Sequence, residues 1–281
     1  MTARSQQTWL VTGASSGFGR AIVLAVLAAG GRVIATARDP ATLRDIAPHG
    51  EKRCLTLPLD ATVKSQVANA IAAGEEAFDS IDILVNDAGY GLLDSVEDAD
   101  EAAIRAIFEV NFFGTANMIR AALKGMRARK RGWIVNIASS GGRLSAPALG
   151  YYSAAKHAVE GLSKALREEV EPLGIGVTVV EPGNFRTDFA GRSLVLGAPP
   201  PIHYANTVGR IINRVERRRE SEVGDPARAA DAIIKAVDAD NPPQQLLLGA
   251  DAIAGVRAEL LRELEEVERW EMLGTRTAFE E

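Results

Sequence analysis

Tyr152 and Lys156 stand four residues apart in Tyr152-Ser153-Ala154-Ala155-Lys156, and Ser139 lies thirteen residues upstream. On a helix, side chains four apart share a face, with Cβ atoms roughly 5–6 Å apart. Such a pair could move protons to and from oxygen. An ordinary tyrosine, with a pKa of about 10, is a poor acid–base group at neutral pH. A neighbouring ammonium favours the phenolate and lowers that value. Bringing the phenol close to neutrality requires a shift of about 3 units, roughly 4 kcal/mol of differential stabilisation. One lysine does not supply all of it, so a second positive source is expected, such as a cationic cofactor ring or a helix N-terminus. Taken alone, the spacing also fits a surface Tyr and Lys on an amphipathic helix, so the rest of the chain must decide.

The elements that would position this pair alternate along the chain. Strand-like apolar runs occur at Thr8–Val11, Arg32–Thr36, Arg53–Pro58, Ile81–Val85, Trp133–Ala138, Val177–Val180 and Gln245–Leu248. Helical segments are expected between them at 17–30, 62–78, 101–129, 151–173 and 226–238. Several strands are apolar on both faces, as in parallel sheets covered by helices on each side. The alternation predicts an α/β fold, a doubly wound parallel sheet of about seven strands. All 281 residues are read as one domain. Residues 188–222 interrupt the pattern between the sixth and seventh strands and read as a lid over a binding site. Residues 251–273 read as a C-terminal helix whose stripe, Leu260, Leu261, Leu264, Val267, Trp270 and Leu273, is expected to pack on its own domain or on another copy.

Bulk properties exclude other classes. A net charge of -5 gives no support for binding nucleic acid or an anionic membrane. The basic run Arg214–Arg219 carries a glutamate within it and reads as a solvated helix face, with a binding patch as the lesser alternative. The single cysteine, Cys54, excludes an internal disulfide and lies in a strand-like run, where a buried inert thiol is expected. His49, His157 and His203 have no paired spacing, so no metal site is expected. The longest apolar stretch, residues 21–31, is too short to span a bilayer. The N-terminus lacks the apolar core of a signal peptide, and a cytoplasmic location is expected.

The first strand runs into Thr12-Gly-Ala-Ser-Ser-Gly-Phe-Gly19, a glycine-rich turn that opens a helix. Glycines let the backbone approach a pyrophosphate, and the helix N-terminus supplies free N–H groups and the positive end of the dipole. The second strand ends in Ala37-Arg38-Asp39. NAD sites place an acid here for the ribose 2′-OH, whereas NADP sites use an arginine for the 2′-phosphate. Ala37 stands where the acid is expected and Arg38 follows, which points to NADP(H) over NAD(H). Asp39, followed by Pro40, fits the N-cap of the next turn.

With these motifs together, the chain resembles the short-chain dehydrogenase/reductase family in its compact single-domain form, over roughly residues 8–250. Gly13, Gly17 and Gly19 match the family's cofactor glycines, and the resemblance extends the expected contacts to Ser15, Ser16 and Phe18. Asp60 matches the residue that contacts adenine. Asn86-Asp-Ala-Gly89 matches the family's NNAG motif except that Asp87 replaces its second asparagine, so Asn86, Ala88 and Gly89 are expected at the cofactor. Pro182-Gly-Asn-Phe-Arg-Thr187 matches the segment lining the nicotinamide, which implicates Pro182, Gly183, Phe185 and Thr187. The resemblance makes Ser139, Tyr152, Lys156 and Asn111 the catalytic set. Tyr152 acts as acid or base, and Ser139 holds the substrate oxygen. Lys156 tunes the phenol and grips the nicotinamide ribose, and Asn111 holds a water of the proton relay. Ser140 and Tyr151 are adjacent rivals, but only Tyr152 lies four residues before Lys156.

The resemblance implies NADP(H)-dependent interconversion of a carbonyl and a secondary alcohol on a small ketone or alcohol substrate, by a homodimer or homotetramer. Leu144, Leu149, Phe185, Phe189, Leu194 and Leu196, with the helix near Tyr204, are the expected substrate walls, and they favour a hydrophobic compound. Glu181–Phe189 and the C-terminal helix look similar to the hydroxysteroid- and retinol-dehydrogenase-like branch. Two alternatives stand beside this reading: a regulator of the same fold that senses NADP(H) without chemistry, and a nucleotide-sugar epimerase or dehydratase.

Overall fold

The computed structural model describes residues 7–46, 52–187, 191, 193–218 and 223–279. His49, Phe189 and parts of the expected lid (188–190, 192 and 219–222) lie outside them. Seven strands, β1 (Thr8–Val11), β2 (Arg32–Ala37), β3 (Cys54–Pro58), β4 (Ile83–Asn86), β6 (Gly132–Ile137), β7 (Ile175–Pro182) and β9 (Gln245–Leu248), form one parallel sheet in the order β3-β2-β1-β4-β6-β7-β9. This is the doubly wound sheet expected from the alternation.

Successive residues of a strand point to opposite faces, and here both faces are apolar. Trp9 and Val11 join a cluster with Ile22, Val26 and Ile233, under α1 (Gly17–Ala28) and α7 (Pro226–Val237). Leu10 joins the opposite cluster with Val67, Met118 and Leu166, under α2 (Lys64–Phe78), α4 (Thr115–Arg129) and α5 (Gly150–Val170). Leu10, Ile34 and Leu84 are fully buried, and each such side chain contributes about 1.5–3 kcal/mol by leaving water. Cys54 is buried in β3. Asp39 caps the short turn Pro40–Leu43 by accepting from the Ala41 N–H.

Strand order reverses between β1 and β4. The loops leaving their carboxyl ends diverge and open a crevice, the usual ligand position in such sheets. Around it lie α3 (Glu101–Phe108), the π-helical segment Glu109–Gly114, and α6 (Arg210–Arg218). A pair of strands not expected from sequence, β5 (Gly91–Leu93) and β8 (Leu194–Leu196), forms a separate parallel ribbon that ties the segment after β4 to the lid.

The C-terminal helix α8 (Ala250–Thr275) corrects one expectation. Only Ala252 and Val256 in its first two turns are buried, while Leu261, Leu264, Val267, Trp270 and Leu273 are exposed, so the stripe does not pack on its own domain. No helix among the described residues is long and apolar enough to cross a membrane.

Candidate active site

A cavity of about 910 Å³ runs along the carboxyl ends of β1, β2, β4, β6 and β7. One end is the glycine turn. Gly13 adopts φ 69°, and a Cβ there would meet backbone atoms of Ala88 at 3.0 Å, so only glycine fits without strain. Ser16, extended at φ -158°, caps α1 without a side-chain bond, which leaves the first N–H groups of the helix for a ligand. Ser15, Ser16, Gly17 and Phe18 line the cavity, and the Phe18 ring meets Phe185 edge-on with centroids 5.1 Å apart. Thr187 lines it opposite Gly17, whose added Cβ would lie 3.7 Å from the Thr187 Cβ. That places Thr187 at the glycine turn.

Arg38 and Asp60 line the end at β2 and β3. Asp60 is held by its own loop, accepting from the Thr62 N–H and hydroxyl through Oδ1. Arg38 is exposed and close enough to Tyr90 for its charge to oppose the rise that burial gives this phenol. Ala88, Gly89, Pro182, Gly183 and Phe185 also line the cavity.

Asn86 does not. It ends β4 with its side chain turned into the interior, where Nδ2 donates to Asn136 Oδ1 at 2.8 Å, and Asn136 Nδ2 donates to Ser163 Oγ at 2.8 Å. These bonds join β4, β6 and α5, so Asn86 supports the sheet and is not among the residues that face the cofactor space. Gly19 also stands back from the cavity surface, its N–H donating to Asp87 Oδ2 at 2.7 Å.

Asp87 lines the cavity through contacts the sequence did not disclose. Its own N–H, with that of Ala88, donates to Thr12 Oγ1, and its carboxylate faces both the turn and Lys156. Enclosure by protein pushes it up to about 7, against the Gly19 N–H bond and the Lys156 charge, which pull it down. Its remaining exposure is to the cavity it lines.

At the opposite side, Ser139 and Tyr152 are hydrogen-bonded side chain to side chain. Ser139 is extended at the end of β6, and its Oγ accepts from the Gly141 N–H at 3.0 Å. Tyr151 is turned away, donating to the Val96 carbonyl at 2.8 Å, which leaves Tyr152 as the member of this pair on the cavity. Lys156 is buried, and Nζ donates to the Ile137 carbonyl at 2.9 Å. Burial brings its pKa down to about 8, against the pull of Asp87 and Glu160.

Burial pushes the Tyr152 phenol up to about 12, the Ser139 bond opposes the rise, and Asp87 adds to it. The expected lowering by Lys156 is therefore not expressed in the ligand-free protein. Helical spacing brings the two side chains to one face, but the ammonium is aimed at a backbone carbonyl. One turn on, Glu160 is also buried and held well above its usual range, first by burial and then by Glu181.

Asn111 sits in the π-helical segment, buried, with Nδ2 donating to the Tyr90 carbonyl at 2.8 Å and Oδ1 accepting from the Tyr90 N–H at 3.0 Å. A Cβ on Gly89 would lie 3.0 Å from Asn111 Oδ1 and 3.6 Å from Lys156 Nζ. Asn111 thus fixes the loop that carries Gly89 and Tyr90 beside the lysine.

Leu144, Leu149 and Leu194 line the substrate half as expected, joined by Leu93, Val110, Val195, Ile211, Arg214 and Val215. Leu196 and Tyr204 do not, and the Tyr204 hydroxyl donates to Glu97 at 2.5 Å. Arg214 is exposed, as a solvated helix face expects, and it also lines the cavity. A lone arginine within a charged helix carries no signal for this in the sequence.

A glycine turn at the first β–α junction, set across one crevice from half-buried Ser139 and buried Tyr152 and Lys156, fits a dinucleotide-binding oxidoreductase. The short chain dehydrogenase family model matches residues 7–194, and the chain belongs to the short-chain dehydrogenase/reductase family. It is 39% identical over 275 residues to an oxidoreductase of Botryotinia fuckeliana, covering 96% of this chain and 98% of that one. A solved short-chain dehydrogenase from Streptomyces avermitilis superposes with a TM-score of 0.92 at 40% identity, over 98% of this chain and 100% of that one. A Burkholderia phymatum member in complex with NAD gives 0.79 at 26%, over 92% and 94%. A Burkholderia cenocepacia member in complex with NADP gives 0.74 at 27%, over 95% and 98%. Solved neighbours therefore carry either nicotinamide cofactor.

Proposed function

We propose that the protein is an NADP(H)-dependent oxidoreductase that interconverts a carbonyl and a secondary alcohol on a hydrophobic small molecule. The observation that carries this reading is the Ser139–Tyr152 hydrogen bond on the wall of the same cavity that ends at the glycine turn. The cradle fits a dinucleotide. Gly13 admits nothing larger beside Ala88, and at the α1 N-terminus Ser16 makes no side-chain cap, Asp87 taking only the Gly19 N–H. Arg38, with Ala37 buried in the position of an NAD-type acid, supports NADP(H).

A bound reduced nicotinamide would supply the hydride to the carbonyl carbon. Tyr152 donates its hydroxyl proton to the carbonyl oxygen as negative charge develops there, and Ser139 donates a hydrogen bond to the same oxygen. Lys156, anchored by one proton on the Ile137 carbonyl, has two more to offer ribose hydroxyls and the relay that reprotonates Tyr152. Asn111 keeps Gly89 and Tyr90 in place against this lysine, and its spare amide capacity would hold the relay water. In the oxidative direction the phenolate is the base. In the ligand-free protein the phenol is pushed up to about 12 and is fully protonated at neutral pH, so acting as acid or base would draw on a lowering by the bound cofactor's positive ring.

The exposed stripe on α8 supports a homodimer or homotetramer, checked by light scattering. The function is tested with a panel of apolar ketones and alcohols, following NADPH absorbance. Tyr152→Phe is expected to lower turnover by about 10²-fold or more while cofactor binding persists; unchanged turnover in this variant would refute the mechanism.

A further inference from the structure

One charged side chain on the cavity has no task in this scheme. In the cofactor half, the charges are Arg38, Asp60, Asp87 and Lys156. In the substrate half, Leu93, Leu149, Leu194, Ile211 and Val215 form the wall, and Arg214 is the one charged residue among the described lining. Its position is set by packing. Ile211 and Val215, on the same helix, enter the lid cluster with Leu93, Leu149 and Leu194, and this fixes the rotation of α6 so that Arg214 falls at the cavity edge. Among the described side chains three and four residues away on its own helix, where a helical arginine finds carboxylates, stand Arg210, Ile211 and Arg217, none of them acidic. Arg210 and Arg217 add like charge to that helix, and no described carboxylate pairs with Arg214 across the cavity.

We propose that Arg214 selects the substrate class: a carbonyl compound with an apolar body and an anionic group, a carboxylate or a phosphate, at the end remote from the carbonyl. This rests on the carbonyl-reductase reading. The planar guanidinium binds either anion through two parallel N–H bonds. The apolar wall takes the body of the molecule, which presents the carbonyl to Ser139 and Tyr152. The anionic head stays near water, so its desolvation is small, whereas an ammonium head would be repelled by the same arginines.

The test uses the NADPH-loaded enzyme and chain-length-matched ketones ending in a carboxylate, a methyl ester or a primary amine. An exposed pairing of this kind is worth up to about fivefold. We expect kcat/KM to be about fivefold higher for the carboxylate than for the ester, with the difference in KM and with the amine below both. Arg214→Ala removes the carboxylate-to-ester ratio, Arg214→Lys retains part of it, and Arg210→Ala, on the same helix but off the cavity, trims it far less than Arg214→Ala does. Raising the salt shrinks the ratio.

A second arm titrates alkyl carboxylates lacking a carbonyl into NADP⁺-loaded wild type and Arg214→Ala by calorimetry. Turnover with equal ratios for wild type and Arg214→Ala would overturn the role of Arg214 and leave the reductase reading standing. No turnover, but carboxylate binding that Arg214→Ala weakens, would overturn the reductase reading and leave the anion site standing. Neither turnover nor Arg214-dependent binding would remove both.

Discussion

Asp87→Asn keeps a hydrogen-bond acceptor for the Gly19 N–H and removes the charge. In the native protein, Asp87 titrates at about 7 instead of 3.8. Once the chain unfolds, it returns to the ordinary value. Between pH 4 and 7 the folded protein therefore holds a proton that the unfolded chain has released, and stability falls by about 1.4 kcal/mol for each pH unit in that window. Integrated over the window, the loss is at most about 4 kcal/mol, a ceiling because water in the open cavity partly solvates the carboxylate.

Asparagine has no proton to lose, so the advantage of Asp87→Asn over wild type should grow by up to about 3 kcal/mol between pH 5 and 7 and level off above. The charge-assisted bond to Gly19 forms only once Asp87 ionises, and its pull is already contained in the value of about 7, so it adds no separate offset below that pH. Urea unfolding of the ligand-free protein at pH 5, 6, 7 and 8, followed by circular dichroism, reads this difference directly. Contributions from other acids, Glu160 among them, cancel in the comparison. Parallel stability profiles for the two proteins would refute the argument. A companion titration with NADPH should show tighter binding by the variant at pH 8 than at pH 6 relative to wild type, because an ionised Asp87 opposes the pyrophosphate.

Further outcomes follow from other positions. Arg38→Ala should weaken NADPH binding by about tenfold or more with little change for NADH, the loss expected for a charged hydrogen bond; fluorescence titration with both nucleotides checks it, and tighter NADH binding by wild type would reject the assignment. Glu160→Gln should gain stability over wild type as pH rises above about 5, because a carboxyl held above its usual range loses stability on ionising; the readout is the melting temperature across pH. Gly13→Ala should abolish cofactor binding and destabilise the fold by about 1–3 kcal/mol, since alanine at φ 69° is strained and its methyl meets the Ala88 backbone; a denaturant midpoint unchanged from wild type would contradict it.

The parts of this site that local periodicity encodes were readable from the chain. Parallel strands with apolar residues on both faces announce themselves, and so does a glycine turn between a strand and a helix. The i, i+4 relation also separated Tyr152 from Tyr151, in agreement with the Tyr151 bond to Val96. Where a side chain points once it leaves the helix was not readable. Lys156 sits where the spacing put it, yet its ammonium goes to the Ile137 carbonyl, and the phenol rises instead of falling. Asn86 and Asp87 are neighbours, but at the end of a strand neighbours face opposite ways, so one supports the sheet and the other faces the cavity. The β5–β8 ribbon was invisible because three residues make no pattern and their partner is about a hundred positions away. Arg214 was hidden for the same reason, since only the packing of Ile211 and Val215 brings it to the cavity.

The β5–β8 ribbon has a consequence for how such a site can change. Main-chain bonds on both flanks, from the Gly91 N–H to the Ser193 carbonyl and from the Gly197 N–H to the Leu93 carbonyl, clamp the lid onto the segment after β4. These bonds do not depend on which side chains the strands carry. Leu194 and Val195 line the cavity from that ribbon, so they can be exchanged while the clamp persists. Attachment and lining are thereby written in different parts of the same residues, backbone for one and side chain for the other. A lineage, or an engineer, can redraw the cavity wall at these two positions without first rebuilding the ribbon that holds it.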